Sequence, residues 1–261
     1  MRNLQLILLA IIALTFIVSC EKDENKSKET LNKETISAKW LVNGSSDYES
    51  FEFNESGNYI IVKNTAKKST SEDAIIFGTY EFIDNKKITL NDFGTLKISE
   101  IYSNSISFSL QLSNNPDNEI IIEASKKDEM ESTKRTDLLC KTWDLVTLND
   151  TSVAGTDMEL KILFSKAGTY YISYVNRNDG ELAQWKWKNE AETELLYSWD
   201  DEPNWEEVDF VEIPELTSNT LKIIEDETEY VLQPASNKKS ARGQESKFLL
   251  ENIEKRSILK K

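Results

Sequence analysis

Of the side chains that could do chemistry in this sequence, one group is denser than any fold requires: Trp199-Asp200-Asp201-Glu202-Pro203-Asn204-Trp205-Glu206-Glu207. Two indoles beside carboxylates have the chemistry of a sugar-stacking platform edged by hydroxyl acceptors. Alternatively, Asp200, Asp201, Glu202 and Glu206 could offer hard oxygens to a calcium ion, although the D-x-D-x-D-G loop spacing is absent. The third reading is a long solvated hairpin loop whose tryptophans fold back onto the body of the protein. Elsewhere reactive side chains are scarce. The chain has no histidine, which removes the commonest general base and the commonest zinc ligand together. It has two cysteines, Cys20 and Cys140, and Cys140 reads as a small buried hydrophobe with only Lys141 beside it as a cation. Acids are plentiful enough to supply a carboxylate pair for glycoside hydrolysis, but that mechanism needs a deep cleft with shifted pKa values. No Ser/His/Asp set is possible, and the glycines form no phosphate-binding loop. The expectation is a non-catalytic protein without a cofactor.

The elements that must position these residues are legible from an internal repeat. Phe53-Asn54-Glu55-Ser56-Gly57-Asn58-Tyr59 returns as Phe164-Ser165-Lys166-Ala167-Gly168-Thr169-Tyr170, an F-x-x-x-G-x-Y skeleton 111 positions later. Each copy lies between alternating apolar and polar runs, so each reads as a β-hairpin whose glycine takes φ > 0. Further matches follow in order. Lys39-Trp40-Leu41-Val42 answers Thr142-Trp143-Asp144-Leu145-Val146, and Gly78-Thr79-Tyr80-Glu81-Phe82 answers Ala183-Gln184-Trp185-Lys186-Trp187. Ser99 to Ile106 answers Pro214 to Leu221 position for position. Such repetition means two similar units. Eight strands are expected in each, near 37–43, 48–54, 58–63, 75–83, 86–91, 94–101, 105–112 and 119–124, then near 140–148, 157–165, 169–176, 181–188, 194–199, 206–213, 219–225 and 228–233. Short turns join them, so each unit is an antiparallel meander whose edges can pair into a small up-and-down barrel. The fold class is all-β, with a linker helix between the units. Inward candidates include Trp40, Phe51, Tyr59, Tyr80 and Phe108 in the first unit, and Trp143, Phe164, Tyr170, Trp185 and Trp187 in the second. So many large side chains favour a filled core over an open cavity.

The ends of the chain differ from the units. Arg2 precedes an apolar run from Leu4 to Val18, too short for a comfortable span and suited to a signal-peptide core. The run ends in Ile17-Val18-Ser19-Cys20, which resembles a bacterial lipoprotein box with isoleucine at the usual leucine place. That resemblance implies cleavage after residue 19 and acylation of Cys20, with palmitate among the acyl chains. At about 0.8 kcal/mol per buried CH₂, two or three chains give a lasting membrane anchor. Glu21-Lys22-Asp23-Glu24 resembles the acidic signal that sends some lipoproteins to the cell surface; the alternative address is the periplasmic face of the outer membrane. Beyond the first 20 residues the chain carries 30 basic and 46 acidic side chains, a net charge of −16. That charge repels nucleic acid. The C-terminus turns basic, with Phe248, Leu249, Leu250 and Ile253 at helical spacing, and reads as a surface helix, a helix packed on a barrel or a frayed end.

The order W-x-L, F-x-x-x-G-x-Y, a glycine-aromatic strand and (Ile/Leu)-x₂-Asn-x-(Ile/Leu) is similar to lipocalin-like domains of outer-membrane lipoproteins, over residues 36–125 and 137–235. The resemblance implies a fold and carries no catalytic residue. Ala183 in place of glycine and the acidic insert around 189–205 are departures in the second unit. The expected layout is a signal peptide at 1–19, a lipidated flexible tether at 20–35, a first barrel at 36–125, a linker at 126–136, a second barrel at 137–235 and a basic tail at 236–261. The function expected is a binding or adaptor module, with a carrier of a small apolar ligand and a glycan-binding or glycan-degrading accessory protein as alternatives. Membrane lipid is the partner through Cys20. Glycan, small apolar molecule and protein all stay open as ligands.

Overall fold

The computed structural model describes residues 27–64, 74–175, 179–200, 202–235 and 257–259. The first unit begins with helix α1 (Lys33–Ile36) and continues through β1 (Lys39–Val42), β2 (Tyr48–Phe53), β3 (Asn58–Lys63), β4 (Ile75–Phe82), β5 (Lys87–Leu90), β6 (Gly94–Ile101), β7 (Ser105–Leu112) and β8 (Asn115–Lys126). All neighbours are antiparallel, and β8 pairs back onto β1 to close a barrel. The second unit has helix α2 (Lys134–Leu139), β9 (Thr142–Leu148), the two-residue β10 (Thr151–Ser152), β11 (Leu160–Phe164), β12 (Thr169–Tyr174), β13 (Asp179–Trp187), β14 (Glu194–Ser198), β15 (Phe210–Leu216), β16 (Leu221–Glu225) and β17 (Thr228–Pro234). Here β17 pairs back onto β9, and β10 is an extra hairpin arm on β9. The two eight-stranded up-and-down barrels expected from the repeat are present.

The repeated hairpin has the expected geometry. Gly57 and Gly168 sit at φ +87° and +78°, where a side chain would be strained. In both turns the glycine N–H donates to the carbonyl of the first turn residue, Asn54 or Ser165, at 3.1 Å. Beside each turn an aromatic from the fourth barrel strand adds a tie. Tyr80 Oη donates to the Asn54 carbonyl at 2.8 Å, and Trp185 Nε1 to the Ser165 carbonyl at 3.0 Å. The helices close the same end. The indole N–H of Trp40 donates to the Ile36 carbonyl (3.0 Å) and that of Trp143 to the Leu139 carbonyl (2.9 Å), so each buried tryptophan fastens the helix before it across the barrel floor. Asn32 and Thr133 cap the two helices through side-chain acceptors. One departure in the repeat is explained at this end. Gly78 lets the Tyr59 ring lie on the neighbouring strand, where a Cβ would stand 2.6 Å from the ring. Ala183 faces Tyr170 instead, and the Tyr170 ring lies against Phe164 at 4.9 Å between centroids.

The barrels pack through equivalent outer faces. Ile60 and Tyr171 each follow the hairpin tyrosine, and Phe77 and Leu182 each precede the glycine or alanine opposite it. With Leu163 they form a separate apolar cluster, in which Phe77 and Tyr171 lie 4.9 Å apart. The polar contacts repeat with the same pseudo-two-fold logic. Thr142 Oγ1 donates to Asn58 Oδ1 at 2.8 Å, and Lys39 Nζ to Thr169 Oγ1 at 3.3 Å. Thr142 and Lys39 precede the floor tryptophans; Asn58 and Thr169 precede the hairpin tyrosines.

Several boundaries differ from expectation, each for a local reason. The expected tether, 20–35, is not free along its whole length: Glu29 N–H donates to the Ile101 carbonyl at 2.8 Å, Leu31 is buried and α1 closes the first barrel. Strand β8 starts at Asn115, before the expected turn ends, because Pro116 falls in a bulge where no ladder N–H is needed. Strand β15 starts at Phe210 rather than near 206, since Asn204 accepts from the Glu207 N–H and folds the acidic run into a turn. Pro214 sits within β15 at the register shift between Glu212 and Glu215, matching the shift between Ile98 and Glu100 in β6. The linker helix lies at Lys134–Leu139 and so extends past the expected linker end at 136 into the second unit. The signal segment, Cys20 and the helical stripe at Phe248 to Ile253 lie outside the described residues.

Candidate functional site

At the end of the second barrel opposite its helix, three core positions break the pattern of the first barrel. Strand registers pair them one to one. Leu90 faces Tyr80 in the first barrel, and Tyr197 faces Trp185 in the second. Ile122 faces Phe108, and Tyr230 faces Ile223. Leu110 lies four residues beyond the start of the β6–β7 pairing, as Glu225 lies beyond that of β15–β16. A leucine, an isoleucine and a leucine have thus become a tyrosine, a tyrosine and a glutamate in the same barrel interior.

These three groups form one cluster. Glu225 is 8 % exposed. Tyr197 Oη donates to its Oε1 at 2.5 Å, and Tyr230 Oη to its Oε2 at 3.4 Å. Burial pushes the Glu225 carboxyl above the ordinary glutamate value, while hydrogen bonds from Tyr197, the Ile258 N–H and Tyr230 act in the opposite direction. Burial, with the glutamate beside them, also raises the Tyr197 and Tyr230 phenols. Tyr170 and Tyr174 point into the same lumen from β12 and belong to the same apolar core.

The lumen is not empty. Ser257, Ile258 and Leu259 lie inside it and are buried. The Ile258 N–H donates to both oxygens of Glu225, at 2.9 and 3.0 Å. Tyr170 Oη donates to the Ile258 carbonyl, and Tyr174 Oη to the Leu259 carbonyl at 3.3 Å. The end of the basic tail is therefore part of the second barrel's core, which corrects its reading as a surface helix or frayed end over these three residues. In the first barrel the Tyr59 phenol instead donates to the Asn91 carbonyl at 2.9 Å. Phe93, from the turn after β5, lies 6.4 Å from the Tyr59 ring and packs on the core at that mouth.

The tryptophan-acid stretch separates into different roles. Trp199 is half-buried, its ring 5.8 Å from Tyr170 and its Nε1 donating to the Ser257 carbonyl at 3.3 Å. Trp205 lies 4.8 Å beneath the Lys186 ammonium. The two indoles have different surroundings: Trp199 faces the lumen and Trp205 lies against a cation. Asp200 and Glu202 are exposed, and Asp201 lies outside the described residues. Among the described residues no three acidic, cysteine or histidine side chains converge as a metal site. Of the expected site residues, the structure brings only Trp199 to the lumen. Tyr170 is foreseen by the sequence as an inward core residue, while Glu225, Tyr174, Tyr197 and Tyr230 are not. The available signal was inward alternation along Leu221, Ile223 and Glu225.

A second candidate is a cleft of about 540 Å³ between the barrels, lined by Lys39, Glu52, Lys166, Asp137 and Cys140 among others. Its charges are largely engaged with one another. Lys166 Nζ lies 2.7 Å from Asp137, and this bond, together with that from Ser132, holds the Asp137 carboxyl below its ordinary value. Glu52 Oε2 accepts from Thr169 at 2.7 Å and lies 3.8 Å from Lys39, while its Oε1 has no partner among the described residues. Burial pushes the Cys140 thiol well above its ordinary pKa, which suits a packing role and not a nucleophile. Compared with protein-family models and with curated proteins, the chain matches none.

Proposed function

We propose that this protein is a non-catalytic binding module held at the outer membrane by lipid on Cys20 and displayed at the cell surface, with the second barrel as its ligand-binding unit. One observation carries the binding reading: the polar cluster Tyr197–Glu225–Tyr230 stands where the first barrel has Leu90, Leu110 and Ile122. The first barrel demonstrates that the fold closes without polar groups there. A buried carboxylate is a burden on stability unless something donates to it, so its presence fits a site that orients an occupant. Apolar walls such as Ile172 and Leu232 give affinity through area removed from water, at roughly 25 cal/mol per Å². Glu225 and the phenols set orientation. The anchor rests on the lipoprotein-box resemblance at Ile17 to Cys20 and the acidic residues behind it.

Two experiments test this. Cys20→Ala should move the chain from the membrane fraction to the soluble one; retention in the membrane would contradict lipid anchoring. A chain ending at Arg256, which lacks the three residues filling the lumen, should take up a neutral amphipathic naphthylamine probe saturably. Glu225→Leu in that chain should weaken the uptake, and no saturable uptake at all would overturn the binding reading.

A further inference from the structure

The three residues in the lumen are held through their main chain. Over Ser257 to Leu259, the Ser257 carbonyl accepts from Trp199, the Ile258 N–H donates to Glu225, and the Ile258 and Leu259 carbonyls accept from Tyr170 and Tyr174. The Leu259 N–H is satisfied by the segment's own Ser257 hydroxyl at 3.1 Å. The side chains of Ile258 and Leu259 contribute only apolar bulk, 0 % and 2 % exposed. One acceptor and three donors therefore converge from β12, β16 and the turn after β14 on successive peptide groups. That is a built recognition surface for a peptide, complementary to alternate N–H and C=O groups.

Any buried plug needs its N–H and C=O groups paired, but the fold itself does not call for a plug. The first barrel has the same floor, hairpin and strand order, and among its described residues Phe93 packs on the core at its mouth, with Leu110 in the place of Glu225. We propose that the lumen of the second barrel is a recognition site for a short apolar peptide segment read through its main chain, and that residues 257–259 occupy it as an internal stand-in for that ligand. This rests on the binding reading above and names its ligand class. The stand-in is covalently attached, and a tethered occupant competes at an effective concentration that reaches the mM range. An external segment gains the site when the tail is displaced or removed.

The test uses the full chain, its Ile258→Asp/Leu259→Asp variant, and the probe acetyl-Ser-Ile-Leu-amide followed by calorimetry. The full chain should show no saturable binding of the tripeptide at concentrations up to about 1 mM, because the tail holds the site at a comparable effective concentration. The double variant, its lumen vacated by two charges, should bind the tripeptide. Adding Glu225→Leu should weaken that binding by about tenfold or more, the scale of a lost hydrogen bond to a charged acceptor. Acetyl-Ser-Asp-Asp-amide should not bind. Should the aspartates unfold the barrel, as judged by melting, the chain ending at Arg256 gives the same readout. A folded variant that takes up the naphthylamine probe but not the tripeptide overturns the peptide assignment while leaving the binding reading intact. One that takes up neither overturns both.

Discussion

The two barrels are near copies at one end and differ at the other. At the helix end, a tryptophan fastens a short helix, an aromatic ties down the hairpin, and the ring stacks repeat. Phe53–Tyr80 and Phe164–Trp185 are edge-on at 5.4 and 5.7 Å, and Tyr80–Phe82 and Trp185–Trp187 at 5.8 and 5.4 Å. At the mouth, the first barrel has Leu90, Leu110 and Ile122 with Phe93 packed on the same core, whereas the second carries Glu225 among tyrosines and holds a segment of its own chain. The floor is what the fold requires, so it persists in both. The mouth is free to change, and it is where the two barrels differ most.

The largest effects should show that the floors are equivalent. Trp40→Ala and Trp143→Ala each remove a fully buried indole and its hydrogen bond, and each should destabilise its barrel by ~3–5 kcal/mol in denaturant titrations. If only one does, the floors are not equivalent. Next comes a swap at the mouth. Leu110→Glu would place a carboxylate where Leu90 and Ile122 offer no donor, and should cost roughly 3 kcal/mol at neutral pH and recover on acidification. If Leu110→Glu is tolerated at neutral pH, the two mouths are interchangeable and the contrast fails. The packing between barrels is worth less. A double-mutant cycle on Phe77→Ala and Tyr171→Ala should give ~0.5–1.5 kcal/mol of coupling. No coupling would mean that the barrels fold side by side without joining.

The finest test is pH dependence. The folded-state pKa of Glu225 is raised by burial and by the Asp226 carboxylate, with hydrogen bonds from Tyr197, the Ile258 N–H and Tyr230 acting against the rise. The native state then binds more protons than the unfolded chain above the ordinary glutamate pKa, so this group's contribution is fully present below that value and is lost as pH rises through the folded pKa. The stability of the parent relative to Glu225→Leu should therefore fall as pH increases over that window. A difference that stays flat, or rises, contradicts the assignment.

Much of this architecture could be read from residue order alone. Alternation and turn chemistry place nearly every strand, and the repeat aligns the hairpins, the floor tryptophans and the bulges at Ser99 and Pro214. The interface left a fainter signal: Tyr59-Ile60-Ile61-Val62 and Tyr170-Tyr171-Ile172 are apolar on both faces, as strands covered twice must be. The site was hidden for two reasons. Glu225 stands directly before Asp226 and Glu227, which form a positive-φ turn, so it blends into an acidic turn run although its register turns it inward. Ile258 and Leu259 lie among lysines and arginines at the chain end, and no local pattern says that a segment returns to a barrel that closed more than twenty residues earlier. Trp199 was found for its chemistry, but its role comes from Tyr170 and Ser257, which only tertiary structure brings to it.

The most direct test is amide hydrogen exchange at Ile258 in the full chain. A main chain held on a buried carboxylate should exchange on the timescale of the β16 amides, and Glu225→Leu should return it to the rate of an unstructured peptide. Exchange of Ile258 at the unstructured rate in the parent protein would mean that the second barrel does not hold its own chain, and the distinction between the two mouths would lose its meaning.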